Sequence, residues 1–513
     1  MMHRLAAVGE GQHAHQGLLD LLGTCGVPQQ LTRCPGEMVT DMLLPSTWIK
    51  LLHAYPHEFR LRLGADSFRL ARFWREFAAR PLNFDAMRNH PALAGRSQQD
   101  LATVVPLCVH SDAAPYSKAA SCTTISFSGL LGSGEEKFTK FVCASFLKSK
   151  DRGDRTDEVW RHLLDDLEAL ATGVVSGQPV VHDARGTVWR FALLYVKCDE
   201  EVRCNEFGLA HYSAADNVCS ECFANRRATP FTDLRDNATW RQTEQMDLDT
   251  YKNRIRAPHH PLVSSPLFCH RSFFMMDLMH VVDCAGVANV VFGSVLVFLL
   301  ADARLGPTKA TRLERVNQLR VEHYDARPGS NRLPEIRATN VVADGWGNLH
   351  GPVFKAAIVR SAAPFFSELA HSFCVGASAR DVCMRKVVSS FAEFYDLLYD
   401  GPMFLPQASM DRLRTVLLEF GLHFMRLREL ARRSATLAWQ VRPKVHKMQH
   451  MTLWAQSINP KYCQCYGEES CVGTVVKTWK GSVSGRYRGV VQRVVLVKRV
   501  TALLLRFELA LLS

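Results

Sequence analysis

The sequence predicts an α+β protein whose mixed sheet is interrupted, along the chain, by a long helical insertion. Three observations lead there. Apolar residues recur at helical spacing up to about residue 98, alternate at strand spacing from about 101, and return to helical spacing from about 226 to 435. The chain has 513 residues, 47% of them hydrophobic and 22% charged, a globular composition long enough for several cores. Small groups of Asp, Cys, His and Glu stand on both sides of the insertion.

The composition excludes disorder, collagen and low complexity for the bulk of the chain, and there are no internal repeats. Sixteen Cys are too sparse for a disulfide scaffold, so a reducing compartment is expected, with some Cys serving as metal ligands. The first residues carry no apolar run behind a basic start, so no secretory signal is expected.

Residues 1–98 read as an N-terminal helical region, with helices over Ser46–Ala54 and Ser67–Ala79 punctuated by Pro45, Pro56, Pro81 and Pro91. Residues 99–225 read as the first part of the core. Leu101–Ser111, Ser121–Leu131 and Lys140–Leu147 are strands, with Asp112 at the end of the first. Asp157–Ala171 is an amphipathic helix with Val159, Leu163, Leu164, Leu167 and Leu170 on one face. Gln178–His182 and Thr187–Lys197 flank a turn, and Asp199 follows the second. Three strands, a helix and a further strand match the first half of a ribonuclease-H-like fold.

Residues 226–435 read as the helical insertion, with a coil-like exception at Gly306–Asn348. The 18-residue run Cys284–Ala301 has only Asn289 and Ser294 as polar residues. Acids and bases on both flanks and the lack of a second span favour a buried core helix, with no membrane partner. Residues 436–513 read as the last part of the core. From 440 onward twelve Lys and Arg face only Glu468, Glu469 and Glu508, which is +9 of the total +12. A polyanion is the natural partner, because such cations release counterions from phosphates.

The candidate chemistry is of two kinds. Asp112 and Asp199 stand at strand ends, where clustered carboxylates bind hard divalent cations; the bland alternative for each is a turn or cap residue. Glu468 and Glu469 open a helix and supply a third acid, with capping as the alternative. Cys219-Ser220-Glu221-Cys222 offers half of a tetrahedral zinc site, unless it is a redox pair or a coincidence. His446 and His450, four apart on one helix face, would supply the other half. Asp277 and His280 also share a helix face, and are read as a hydrogen-bonded core pair or as a second catalytic or metal cluster.

The order Asp112, Asp199, Cys219-x-x-Cys222, His446-x-x-x-His450, Glu469 resembles that of the cut-and-paste DDE transposases with a ribonuclease-H-like core. The CACTA (En/Spm) group is the nearest in look, and the Transib elements and the related V(D)J recombinase share the layout. In these families a CxxC follows the second Asp at about this distance, a helical insertion comes next, and a His pair precedes the Glu. Asp277-Leu278-Met279-His280 is similar to the CACTA stretch LDVMHIEKN, and Tyr466–Glu469 to its YPFE. The resemblance covers roughly residues 100–300 and 436–480.

It implies that Asp112, Asp199 and Glu469 (with Glu468 as rival, and Asp277 as rival to Asp199) hold two Mg²⁺ or Mn²⁺ ions. Water would cut a DNA strand, and the freed 3′-hydroxyl would attack a second phosphodiester. Cys219, Cys222, His446 and His450 would hold a structural Zn²⁺. Lys477, Lys480, Arg486, Arg488 and Arg493 would grip the DNA backbone. The implied setting is the nucleus, with a homodimer or higher oligomer on DNA. Two other functions stay open. One is a catalytically inactive, transposase-derived DNA-binding protein. The other is a ribonuclease-H-like 3′–5′ exonuclease, which would want Asp-x-Glu on its first strand, where this chain has Asp112-Ala113-Ala114. Residues 1–98 show neither a zinc-finger pattern nor a clear helix-turn-helix.

Overall fold

A computed structural model describes residues 32–34 and 40–512, apart from 119, 149–153, 176–177, 184–185, 211–215, 245, 256–259, 330, 344–345 and 484–490. The chain forms an α+β fold of two compact units. One comprises residues 1–209, 255–275 and 465–513; the other comprises 210–254 and 276–464. The CxxC and His-pair segments, assigned from sequence to the core, therefore belong to the second unit, and 255–275 returns to the first.

The first unit starts with a short antiparallel pair, Thr32–Cys34 with Thr40–Met42, in a region read from sequence as helical. Helices α1 (Pro45–His53), α2 (Pro56–Leu63) and α3 (Ser67–Ala78) follow. Next come strands β1 (Val104–Pro115), β2 (Ser121–Gly129) and β3 (Phe141–Leu147), helix α4 (Asp154–Thr172), strand β4 (Arg190–Lys197) and helix α5 (Glu200–Asn205). The second unit carries α6 (Val287–Leu300), α7 (Lys309–Asp325), α8 (Ala379–Tyr399), α9 (Gln407–Arg433) and α10 (Pro443–Gln449). The chain then completes the first unit with α11 (Tyr466–Val483) and α12 (Val491–Leu512).

The sheet order is β3-β2-β1-β4. β1 runs antiparallel to β2 and parallel to β4, and β2 is antiparallel to β3. The near-continuous apolar run of β1 fits a strand buried on both faces. Asp112 is not at the end of this strand, as the sequence suggested. Pairing continues to Pro115↔Ser121 and places Asp112 opposite Thr124. The strand predicted over Gln178–His182 shrinks to Gln178–Pro179, paired with Val174–Val175.

Side-chain alternation decides what each sheet face holds. Ser111 points to the face of α4, where its hydroxyl meets Glu206 and the Trp160 indole donates to the same carboxylate at 2.6 Å. Asp112, Thr124 and Ser145 form a row on the other face, which α11 covers through Trp479 Nε1 donating to Ser145 Oγ at 2.8 Å.

In the second unit α6 is the core helix that its apolar run suggested. Helical structure over Met279–Leu300 is long and apolar enough to cross a membrane, but 78% of its most apolar window is buried inside the fold. Phe292 stacks on Phe366 with centroids 4.2 Å apart. A Cβ at Gly293 would meet the Asn348 backbone at 2.4 Å, so only glycine lets these segments approach. α8 and α9 pair through a short turn, with Phe391 against Phe420. The predicted coil over Gly306–Asn348 contains α7. Thr308 caps this helix, and only Val316, His323 and Tyr324 are buried, so it has no broad apolar stripe for periodicity to reveal.

Candidate metal centre and carboxylate face

Cys219, Cys222, His446 and His450 converge in the second unit. All four are buried, and their ligand atoms lie within 4.8 Å of one another. Cys219 Sγ is 3.4 Å from His450 Nε2, Cys222 Sγ is 3.3 Å from His446 Nε2, and the two Nε2 atoms are 3.2 Å apart. Four ligands around a tetrahedral Zn²⁺, with bonds of about 2.0–2.3 Å, sit about 3.3–3.8 Å from each other, so these donors fit that ion.

Local sequence builds the cluster. The CxxC turn folds so that the Glu221 N–H donates to Cys219 Sγ at 3.4 Å, and Val218 N–H donates to the Ala224 carbonyl. Pro443 at the first position of α10 starts the helix that carries His446, and His450 forms its C-cap. Three further residues surround the four candidate ligands, and no spacing in the sequence marks them. Arg254 donates to the Cys219 and Cys222 carbonyls at 2.9 Å each and to the Ser220 carbonyl at 3.3 Å. Glu244 Oε1 lies 2.8 Å from His450 Nδ1, and Nε2 is the ring atom that faces the other ligands. The Trp240 ring packs edge-on to His446 and His450.

The electrostatics suit a cation. Burial raises the thiols, but hydrogen bonding from Cys222 and the nearby His450 charge bring Cys219 well below its ordinary value. Burial and that Cys219 charge push Cys222 up. His450 rises to about 10: burial opposes the charge, yet the Cys219 thiolate and Glu244 outweigh it. Burial lowers His446. A divalent ion would replace this internal proton arrangement and discharge its protons to solvent.

The acids of the first unit behave differently. Asp112 is buried and accepts from the Ala113 N–H at 2.7 Å. The last parallel pair is His110↔Lys197, two residues before Asp112 within β1 and two before Asp199, which lies past the end of β4. Asp199 nevertheless serves as the N-cap of α5, accepting from Val202 N–H at 2.7 Å. Glu468 is buried and accepts from Lys140 Nζ at 2.8 Å and Lys197 Nζ at 3.2 Å. Burial would raise its pKa, but the Lys140, Lys197 and His110 charges hold it well below the ordinary carboxylate range. Glu469 is the next residue of α11 and is half-buried.

Among the described residues no three acids bring ligand atoms within 4.8 Å of one another. With Glu468 tied to two ammonium groups and Asp199 to a helix end, this arrangement does not fit a pair of divalent ions. Lys197 stands two residues before Asp199 and closes the apolar run Phe191–Val196, a pattern in the sequence that marks a buried cation.

Asp277 and His280 are in direct side-chain contact in the second unit. Asp277 also accepts from the Met279 and His280 N–H groups, so it closes the turn leading into the π-helical segment Met279–Asp283. The basic segment from 440 is not one patch. Lys444 donates to the Cys284 carbonyl, Lys461 donates to the Tyr399 and Gly401 carbonyls, and Lys447 is buried, all within the second unit. Lys477 and Lys480 are exposed on α11 of the first unit. Arg486 and Arg488 lie outside the described residues, and Arg493 is placed on α12 by its backbone. No protein-family model and no curated protein matches the chain.

Proposed function

We propose that the chain is a DNA-binding protein of the DDE-transposase type, in which a zinc-bound helical unit is inserted into the sequence of a ribonuclease-H-like core. One observation carries the reading: β1 pairs in parallel with β4 up to His110↔Lys197, two residues before Asp112 and Asp199 respectively, and α11, which bears Glu468 and Glu469, covers the face that Asp112 shares with Thr124 and Ser145. The strand order β3-β2-β1-β4 is the one a ribonuclease-H-like core would have. The ordered motifs of the sequence point the same way.

Zn²⁺ on Cys219, Cys222, His446 and His450 would be structural, since four protein ligands leave no open position for substrate. Cutting and joining DNA would require Asp112, Asp199 and Glu469 to gather around Mg²⁺ or Mn²⁺. The Asp199 cap and the lysine-bound Glu468 favour a second reading, a transposase-derived binder that has lost this chemistry. Either form would work in the nucleus, as a homodimer or larger assembly on DNA.

Incubation of supercoiled plasmid with the purified chain and Mg²⁺ or Mn²⁺, compared with Asp112→Ala, separates the two. Nicking by wild type that the variant lacks supports the enzyme. Equal nicking, or none, rejects it. Failure of the wild type to bind DNA at low salt rejects both.

A further inference from the structure

The first 98 residues carry no DNA-reading pattern in their sequence, but α3 presents an exposed face suited to that task. α2 and α3 are joined by only three residues, Gly64, Ala65 and Asp66. Gly64 has φ +73°, and a Cβ there would come 2.4 Å from Leu131 Cβ, so the turn demands glycine. Asp66 then caps α3 by accepting from the Arg69 N–H at 2.9 Å.

α3 is held firmly from behind. Leu70, Phe73, Trp74 and Phe77 are buried, and Trp74 Nε1 donates to the Val104 carbonyl at 2.8 Å. The front carries Phe68, Arg72 and Arg75, spaced four and three apart and therefore in one row. Phe68 is 82% exposed, a large ring left in water at the start of a rigid helix. Arg72 and Arg75 are exposed as well. The acid beside them is Glu76, which meets Arg72 at 2.9 Å in a surface bridge that contributes little in water and that a phosphate can displace. Arg69 is committed to the Leu131 carbonyl.

We propose that this face of α3 docks on duplex DNA, with Arg72 and Arg75 on phosphates and Phe68 against the groove. Charge complementarity selects the occupant: forked guanidinium groups match phosphate oxygens, and a helix of this size enters a major groove. The inference rests on the DNA-binding reading above and names the surface that executes it.

The test is fluorescence anisotropy of a labelled duplex against the full chain at several salt concentrations, with circular dichroism to verify folding. Arg72→Gln/Arg75→Gln should weaken binding at least about ten-fold and reduce the slope of log K against log salt by about two. Phe68→Ser should weaken binding several-fold with the slope unchanged, and both variants should keep the wild-type melting temperature. Wild type that binds DNA, with both folded variants matching it in affinity and slope, overturns this inference alone. Wild type that does not bind overturns the DNA reading beneath it.

Discussion

The Cys₂His₂ cluster and the carboxylate face both bring together side chains far apart in sequence, yet they settle their charge in opposite ways. In the second unit four donors turn toward one another, with 3.2–3.4 Å between the pairs named above and with Arg254 and Glu244 arranged around them. A divalent ion could take the place of the protons that those donors now share. In the first unit the acids each have a partner of their own: a helix end for Asp199 and two ammonium groups for Glu468. A cluster of ligating residue types becomes a metal centre only when the protein supplies no better cation.

Loss of the metal centre should have the largest effect. Structural zinc contributes on the order of 10 kcal/mol in small zinc domains, so Cys222→Ser or a strong chelator should abolish bound zinc and cooperative unfolding of the second unit. An unchanged melting profile in the variant would contradict this. Next comes Glu468→Gln, which leaves Lys140 and Lys197 buried without their counter-charge and should cost about 3–5 kcal/mol at pH 7. Because the folded carboxylate titrates below its ordinary value, its stabilisation is present above about pH 4.3 and is lost as the pH falls further. Denaturant titrations should therefore show the gap between wild type and variant closing in acid. A gap that is constant with pH, or below about 1 kcal/mol throughout, would remove the ion pair from the account.

Glu206 sharpens the same contrast with the opposite sign. Burial pushes it up to about 7, against the hydrogen bonds from Trp160 and Ser111. The folded state thus keeps a proton that the unfolded chain has released. Stability should fall as the pH rises from about 4.3 to about 7 and then level off. Glu206→Gln should flatten that part of the profile, and a slope identical to wild type would refute the assignment. The mildest change is Arg254→Met, which loosens the carbonyls of the CxxC turn without touching a ligand. Competition with a chromophoric chelator should show zinc affinity reduced about 10–100-fold, and an unaltered affinity would leave Arg254 without this role.

Much of this was legible in the sequence where one period dominates. Short apolar runs marked β1 to β3, the leucine face marked α4, and the apolar run marked α6 as a core helix. The spacing of Cys219 to Cys222 and of His446 to His450 marked the four residues that form the candidate metal cluster, because short spacings fix local geometry before any fold is known. What stayed hidden depends on contacts across long stretches of chain. Lys140 and Glu468 are 328 residues apart, and no local pattern announces their pairing. Arg254 looked like one cation among 62 Lys and Arg. α7 escaped because its burial is confined to three residues, whereas the capping role already open to Asp199 was decided by α5. The turn at Gly64 was equally silent, since its need for a left-handed residue comes from Leu131.

X-ray absorption at the zinc edge, on protein purified without added metal, tests the centre most directly. One zinc per chain is expected, with two sulfur neighbours at about 2.3 Å and two nitrogen neighbours at about 2.0 Å. A well-folded protein without zinc, or a metal surrounded by oxygen, would contradict it.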